Sequence, residues 1–343
     1  MKSIQGRWGR APSSPVRILL VGYGIRGRQW QAMCARRRVF DVAVVDSDHS
    51  SRRAAARQGL ETWDSLDRAI GEARARGAIV ATPSELHLEH ALACLEAGIV
   101  TLVEKPMALS VRDAAEVVAV EDGGTARVVV GQNFRFLPRE QAVRTSIAAG
   151  AIGELTAMFV SSARPPSVAS PKLPGIHQPA LWNMGAHHLD AVLGRVGSLP
   201  ALVRTDASPD GLRGEVVAEW EGGLRLEYRF REDADGYMHR ETIRGTGGTL
   251  TVERQRVVLH QLGRSPRAIR SPRKAVPEEP VIDMFLRALE GGSVASLGAR
   301  ENLATLAFVE AADRSVQVRG SVAPADVLRA AGLELPEPAP IRT

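Results

Sequence analysis

An apolar segment that runs directly into three closely spaced glycines is the feature that most constrains this chain of 343 residues. Residues 19–21 are strand-like, and Gly22, Gly24 and Gly27 follow them at the start of a segment able to form a helix. In such a unit the first glycine allows a tight turn, the second lets backbone approach a pyrophosphate, and the third lets the helix pack on the strand. The helix N-terminus offers free N–H groups to the phosphates. The pattern predicts a dinucleotide site formed by Gly22, Tyr23, Gly24, Ile25, Arg26 and Gly27.

Asp46 ends a second apolar run, nineteen residues after Gly27. A carboxylate at this position can accept both ribose hydroxyls of NAD and repels the 2′-phosphate of NADP. Arg52 and Arg53 follow closely and would soften that repulsion. The sequence therefore favours NAD as the cofactor over NADP.

The order of apolar runs predicts two domains, as the length of the chain also does. Continuous apolar runs suit strands buried on both faces, and in this chain they alternate with helical segments. They predict a doubly wound parallel Rossmann sheet with strands at residues 16–21, 42–45, 78–81, 99–103 and 128–130 and helices at residues 28–38, 51–58, 86–97 and 111–120.

After residue 138 the runs alternate apolar and polar residues, which predicts a C-terminal α+β domain with an open, mainly antiparallel sheet. The predicted strands include residues 155–161, 216–220, 224–230 and 250–252. We predict a flexible tail at residues 1–15, a Rossmann domain at 16–137, and an α/β domain for substrate binding and oligomerisation at 138–343.

Composition excludes several classes of protein. The 44 Lys and Arg residues against 39 Asp and Glu leave a net charge of +5, too mild for a nucleic-acid-binding surface. The arginine-rich run at residues 263–274 has no aromatic residue to stack on a base and is typical of a solvated loop. No apolar run approaches the ~20 residues of a membrane span. Two cysteines, Cys34 and Cys94, on apolar helix faces suit a reducing cytoplasm.

Six motifs in order make the chain resemble the family of glucose-fructose oxidoreductase, inositol dehydrogenase and MocA, over nearly its whole length. They are the glycine motif, Asp46, Ala81-Thr82-Pro83-Ser84 with His87, Glu104-Lys105-Pro106, Gln132-Asn133-Phe134-Arg135, and Gly185 with His187 and Asp190. The resemblance implies hydride transfer between NAD(P) and a secondary hydroxyl or ketone of a sugar, amino sugar or cyclitol. It also implies a C-terminal sheet that forms the interface of a homodimer or homotetramer.

The resemblance assigns Lys105 a hydrogen bond to the reacting hydroxyl, as a cation that stabilises alkoxide character. It implies cofactor contacts from Ala81, Thr82, Pro83, His87, Glu104, Lys105 and Asn133. His87 has an alternative role as an ordinary residue at a helix start.

His187 is the candidate acid or base, since an unperturbed imidazole titrates near neutrality. If residues 182–193 are helical, Asn183, His187 and Asp190 share one face. His188 is rotated away, which indicates packing or a surface position and argues against a metal site. Family dehydrogenases commonly carry Asp where this chain has Asn183, so His187 should titrate lower than it would beside Asp.

The predicted substrate side consists of Lys105, Arg135, Arg164, Trp182, Asn183, His187 and Asp190. Arg135 could hold a substrate oxygen or form a structural pair, and Trp182 could anchor the core instead. Two further functions stay open: transient oxidation by tightly held NAD that permits epimerisation or elimination, and a non-catalytic dinucleotide-binding sensor or subunit.

Overall fold

The computed structural model describes residues 15–166, 176–271, 276–294 and 296–334, and these form two sheets surrounded by helices. The predicted tail at residues 1–15 lies outside the described part except for its last residue, as do residues 167–175 of the proline-rich loop. None of the helices in this part of the chain has the length and apolar character that a bilayer crossing requires.

The first sheet has six parallel strands: β1 (Val16–Val21), β2 (Phe40–Val45), β3 (Glu61–Trp63), β4 (Gly77–Val80), β5 (Val100–Val103) and β6 (Val128–Val130). Their order is β3-β2-β1-β4-β5-β6, so the chain reverses direction across the sheet after β3. This reversal leaves a crevice at the carboxyl ends of β1 and β4, where doubly wound sheets bind ligands. Leu19 and Val21 face one core while Ile18 and Leu20 face another, so β1 is buried on both faces. The predicted doubly wound sheet is confirmed.

Five helices connect these strands: α1 (Ile25–Arg37), α2 (His49–Ala56), α3 (Leu66–Glu72), α4 (His87–Glu96) and α5 (Val111–Gly123). Two of them begin at side-chain caps. The Asp48 carboxylate accepts from the Ser51 amide at 2.7 Å, and the Ser110 hydroxyl accepts from the Asp113 amide at 3.0 Å. Each cap satisfies one otherwise unpaired amide and contributes about 1 kcal/mol.

The second sheet has eight strands: β7 (Leu155–Ala163), β8 (Leu202–Ala207), β9 (Arg213–Glu219), β10 (Arg225–Arg231), β11 (Met238–Gly245), β12 (Gly248–Glu253), β13 (Arg256–His260) and β14 (Arg267–Ile269). The order is β14-β13-β12-β11-β7-β10-β9-β8. All neighbours are antiparallel except β7 and β10, which run parallel with Arg231 opposite Ala163. The predicted, mainly antiparallel sheet is confirmed.

The remaining helices are α6 (Pro138–Ala148), α7 (Ala186–Val196), α8 (Glu279–Leu289), α9 (Ala299–Val318) and α10 (Pro324–Ala330). Of these, α8 returns to the first sheet, where Val281, Ile282 and Phe285 share a core with Ile18 and Leu20. A late segment of the chain therefore completes the core on one face of the first sheet.

Candidate active site

The turn between β1 and α1 forms a backbone cradle at the crevice. Gly22 has a φ of +91°, and a Cβ atom there would lie 2.8 Å from the Ala81 carbonyl oxygen. A Cβ on Gly27 would lie 2.0 Å from the Gly22 carbonyl oxygen, so the helix approaches the turn closely. Around Gly24 an added Cβ meets nothing within 4 Å, and no side chain of the described residues caps α1. The first amides of α1 are thus available to a ligand, and phosphate suits them.

Two backbone amides hold the Asp46 carboxylate just after β2. Its Oδ2 accepts from the Tyr23 amide at 2.7 Å, and its Oδ1 accepts from the Asp48 amide at 2.8 Å. Arg52 donates to the carbonyl oxygens of Asp46 and Ser47 at 2.7 and 2.8 Å, which anchors its guanidinium to the backbone. Each carboxylate oxygen keeps acceptor capacity for a ribose hydroxyl.

His87 joins the two loops that border the crevice. Its Nδ1 lies 2.7 Å from the Pro106 carbonyl oxygen and its Nε2 lies 2.9 Å from the Thr82 carbonyl oxygen. The ring is 1% exposed, and burial lowers its pKa below the usual 6.5. A neutral ring donates to only one of these carbonyls. His87 thus begins α4 and positions the loop of Thr82 and Pro83 from the interior.

A partly buried ion cluster lies beside the cradle and includes three residues predicted to contact the cofactor, Arg26, Glu104 and Asn133. The Glu104 carboxylate pairs with Arg26 and accepts from Trp30 Nε1 at 2.7 Å. Glu278 accepts from Arg26 at 3.2 Å and from Asn133 Nδ2 at 2.9 Å. Sequence reasoning missed Glu278, which directly precedes α8 and reaches this cluster only through the return of the chain.

Lys105 stands at the centre of the site, following β5 and Glu104 with a cis peptide bond to Pro106. Its Nζ donates to the Asn183 carbonyl oxygen at 2.7 Å and to Asn183 Oδ1 at 3.2 Å. Burial lowers the pKa of Lys105 to about 8. An ammonium has three N–H donors. Two of them meet the oxygens of Asn183, and the third remains for a substrate oxygen.

Asn183 lies in a π-helical turn, Leu181–Gly185, and α7 begins only after it. The sequence predicted one regular helix through this region, so the local form differs. Single π turns widen a helix and are frequent at functional sites. The predicted shared face persists: Asn183 meets Lys105, while His187 and Asp190 also face residues of the first domain.

His187 stacks on Phe134, with ring centroids 4.1 Å apart and planes inclined by 11°. Its side chain is buried, and within the described residues its Nδ1 has no hydrogen-bond partner. Burial, reinforced by the charge of Lys105, lowers the pKa of His187 well below 6.5. The ring is therefore neutral near pH 7 and has a nitrogen lone pair to accept a proton.

Three predicted substrate residues lie in the interior. Arg135 forms a bidentate pair with Asp190, at 2.7 Å for both Nε and Nη2, and Thr305 also donates to this carboxylate. Trp182 is 3% exposed and donates to Asp313 Oδ2 at 3.2 Å. These contacts favour the structural alternatives for Arg135 and Trp182, an ion pair and a core anchor, and they place Asp190 in the same ion pair.

Arg164 and Glu232 complete the wall opposite the first domain. Arg164 Nε lies 3.5 Å from Glu232 Oε1, and Asn183 Nδ2 lies 3.5 Å from Glu232 Oε2. The predicted position of Arg164 at the site agrees with these contacts. Glu232 is an acidic residue that sequence reasoning missed, since a single Glu after a strand of alternating buried and exposed residues carries no local signal.

His188 packs against side chains of the second sheet and meets the edge of Phe134, with ring centroids 5.5 Å apart. Its ring stacks on His239 at 5.1 Å, and its Nε2 lies 3.2 Å from the Ser162 hydroxyl. His187 and His188 thus diverge as expected. Across the residues that the structure describes, no group of three or more His, Cys, Asp or Glu side chains is arranged to hold a metal ion.

Beside His188, Arg195 joins two buried carboxylates. It pairs with Glu140 and, at 2.5 Å, with Glu241, and all three side chains are nearly inaccessible. Glu241 also lies 2.6 Å from His239 Nε2. This cluster ties α6 and α7 to β11, and so supports the helix that carries His187.

Comparison with known proteins supports the interpretation of the crevice. Residues 16–132 match a family model described as an oxidoreductase family with an NAD-binding Rossmann fold, named for Gfo, Idh and MocA. The matched region ends within the Gln132-Asn133 motif after β6.

Individual relatives extend the similarity beyond that region. Inositol 2-dehydrogenase of Rhizobium meliloti is 26% identical over 326 residues, covering 88% of this chain and 97% of that protein. Inositol 2-dehydrogenase 1 of Saccharopolyspora erythraea is 37% identical over 147 residues, but this match covers only 40% of this chain and 43% of that protein. An oxidoreductase of Agrobacterium radiobacter, solved with NAD+, L-tartaric acid and magnesium, has the same fold, with a TM-score of 0.79, 18% identity, and coverage of 92% of this chain and 100% of that one.

Proposed function

We propose that this chain is an NAD(P)-dependent oxidoreductase that transfers hydride between the nicotinamide and a secondary hydroxyl or ketone of a sugar, amino sugar or cyclitol. Its residues 16–132 match the Gfo/Idh/MocA family model, and its similarity to an inositol 2-dehydrogenase covers 88% of the chain. The observation that supports this most directly is the placement of Lys105 Nζ. It is held by Asn183 at the crevice that the glycine cradle opens into, next to the neutral ring of His187.

The residues of the crevice fit a dinucleotide. The open space at Gly24 and the uncapped amides of α1 suit a pyrophosphate, and Asp46 suits an adenine-side ribose. We propose NAD as the preferred form, because Asp46 would repel a 2′-phosphate and Arg52 is tied to backbone carbonyls. When bound, the nicotinamide supplies the acceptor or donor of the hydride.

Lys105 and His187 act on the same substrate oxygen in different roles. In alcohol oxidation, the third N–H of the Lys105 ammonium donates to that oxygen and stabilises its developing negative charge. The neutral ring of His187 accepts the hydroxyl proton. In the reverse direction the protonated ring returns it. The stacking on Phe134 limits rotation of the His187 ring and so fixes its orientation.

The test is NADH formation, followed by absorbance, with a panel of sugars, amino sugars and cyclitols. Turnover with at least one of them, lost in Lys105→Met and His187→Asn while NADH binding persists, supports the proposal. The variant Arg36→Ala, at an exposed position in the last turn of α1, serves as control and should keep its activity. Product without net NADH would indicate transient oxidation, and NADH binding without any turnover would indicate a sensor.

We further propose that the second sheet forms the contact of a homodimer or homotetramer. On β10 the residues Leu226, Tyr228 and Phe230 are buried, while Arg225 and Arg229 are exposed and pair with Glu219 and Glu215 on β9. A two-fold contact sets such a face against its own copy, so rows of opposite charge can meet. Light scattering should show an oligomer that Arg229→Glu weakens and Arg53→Glu does not, whereas a monomeric parent protein would refute the proposal.

The two thiols suit a cytoplasmic location, which we propose for this chain. Cys34 and Cys94 are buried and unpaired. Burial raises the pKa of each thiol to about 12, which leaves both uncharged and unreactive.

A further inference from the structure

Glu232 and Arg164 enter the site from neighbouring parallel strands. Arg231 stands opposite Ala163 in the pairing of β10 with β7, so the next residue of each strand emerges side by side. The Arg164 amide donates to the Arg231 carbonyl oxygen at 2.9 Å, which extends this pairing by one residue. The backbone of the second sheet therefore fixes where both side chains begin, and Glu232 is 3% exposed.

A continuous line of contacts connects this pair to Lys105. Glu232 lies 3.5 Å from Arg164 Nε through one oxygen and 3.5 Å from Asn183 Nδ2 through the other. On its other side, Asn183 Oδ1 accepts from Lys105 Nζ at 3.2 Å. An amide that accepts from an ammonium must direct its NH₂ group elsewhere, and the Glu232 carboxylate is an acceptor in that direction. With the amide reversed, NH₂ would face the Lys105 ammonium and lose both contacts.

We propose that Glu232 and Arg164 form a positioning pair that sets the protonation state of Lys105, with Glu232 orienting Asn183 and stabilising the ammonium and Arg164 opposing it. The proposal rests on the proposed function, in which the ammonium meets the substrate oxygen. It adds a second-sheet residue, Glu232, to a site otherwise built around the crevice of the first sheet.

The charges around Lys105 agree with this division. Burial is the main influence and lowers its pKa to about 8, Glu104 and Glu232 raise it, and Arg164 and Arg26 lower it. Glu104 is already committed to Arg26 and Trp30, whereas Glu232 reaches Lys105 through Asn183. The titratable and charged groups around the ammonium are Glu104, Arg26, Arg164, Glu232, His187 and His87.

The test measures Lys105 directly and needs no substrate. The chain has four lysines, Lys2, Lys105, Lys172 and Lys274, so a protein labelled with ¹³C at lysine Cε gives few resonances. Lys105→Met identifies the Lys105 signal by its absence. Glu232→Gln keeps an acceptor for the Asn183 NH₂ but removes the charge. We expect it to lower the titration midpoint of Lys105 by roughly one pH unit, and Arg164→Gln to raise it by a similar amount.

Matched variants separate charge from structure. Arg164→Lys retains the positive charge, so its Lys105 titration midpoint should equal that of the parent protein. The double variant Glu232→Gln/Arg164→Gln loses one charge of each sign, and its midpoint should also lie near the parent value. Glu227 lies at a partly exposed position on β10, the strand that directly precedes Glu232. Glu227→Gln should leave the titration midpoint of Lys105 unchanged. A midpoint that does not move, or that moves in the same direction in both single variants, overturns the proposal. Since a failed turnover assay leaves this titration measurable, the two proposals fail separately. If Glu232→Gln does not fold, the Arg164 variants alone decide.

Discussion

Replacing Asn183 by Asp puts a carboxylate against Lys105 and tests how the site controls charge. In the parent chain burial lowers the pKa of Lys105 to about 8. If hydride transfer requires the ammonium, its rate is maximal below that pH and falls as the pH rises through it. The pKa of His187 lies well below 6.5, so its ring stays neutral throughout this alkaline limb. Of the two residues, only the deprotonation of Lys105 therefore shapes the alkaline limb.

The distances set the size of the expected change. Asn183 Oδ1 lies 3.2 Å from Lys105 Nζ, and a full charge pair at that separation is worth about 5 kcal/mol at an effective dielectric constant of about 20. Glu232 lies 3.5 Å from the other end of the amide and would repel the new carboxylate. The net effect should be well below the full value, and we expect the alkaline limb to move upward by about 1 pH unit.

The assay is the pH dependence of kcat/KM for alcohol oxidation across neutral and alkaline pH, which reports the free enzyme. The double variant Asn183→Asp/Glu232→Gln removes the repulsion and should retain an upward shift. Asn183→Ser, which adds no charge, should not move the limb upward. An alkaline limb that stays in place in both Asp-containing variants would refute the reasoning, as would a parent rate that rises through pH 8.

Three other substitutions test the framework around the site. Arg195→Met leaves the buried carboxylates of Glu140 and Glu241 uncompensated and should lower the free energy of unfolding by about 3–5 kcal/mol in urea denaturation. The control, Arg329→Met at an exposed pair with Asp326 on α10, should cost less than about 1 kcal/mol. Phe285→Ala should cost about 3–5 kcal/mol because it empties the core that α8 shares with the first sheet, against little change for the exposed Arg287→Ala. Asp46→Ala should raise KM for NAD by about tenfold, equivalent to about 1.4 kcal/mol, and narrow the preference over NADP; an unchanged ratio would show that Asp46 does not meet the ribose.

Local sequence patterns were sufficient to predict the framework of the crevice. The glycine turn and β1 depend on residues close in sequence, and the structure has both where the sequence predicted them. By contrast, the sequence analysis predicted neither β3 nor α3. Glu61–Trp63 is only three residues long and has no apolar run, because its place in the sheet comes from pairing with β2.

The substrate side depends on contacts between distant residues, and these leave no periodic signal. Lys105 and Asn183 are 78 positions apart, and Asn183 and Glu232 are 49 apart. The pair of Arg135 with Asp190 also shows why residue type alone left the role of Arg135 open between a substrate contact and a structural pair. An arginine near a crevice is equally suited to a ligand and to a buried carboxylate, and only the fold decides between them.

Transfer of deuterium from NADH that carries deuterium at both C4 positions of the nicotinamide tests the central claim most directly, namely that hydride passes to carbon between Lys105 and His187. The substrate is the ketone form of whichever polyol turns over, and the product is analysed by mass spectrometry. We predict one deuterium at the new carbinol carbon with the parent enzyme, and none with Lys105→Met although it still binds NADH. Unlabelled product from the parent enzyme, or equal labelling by the variant, would contradict the account.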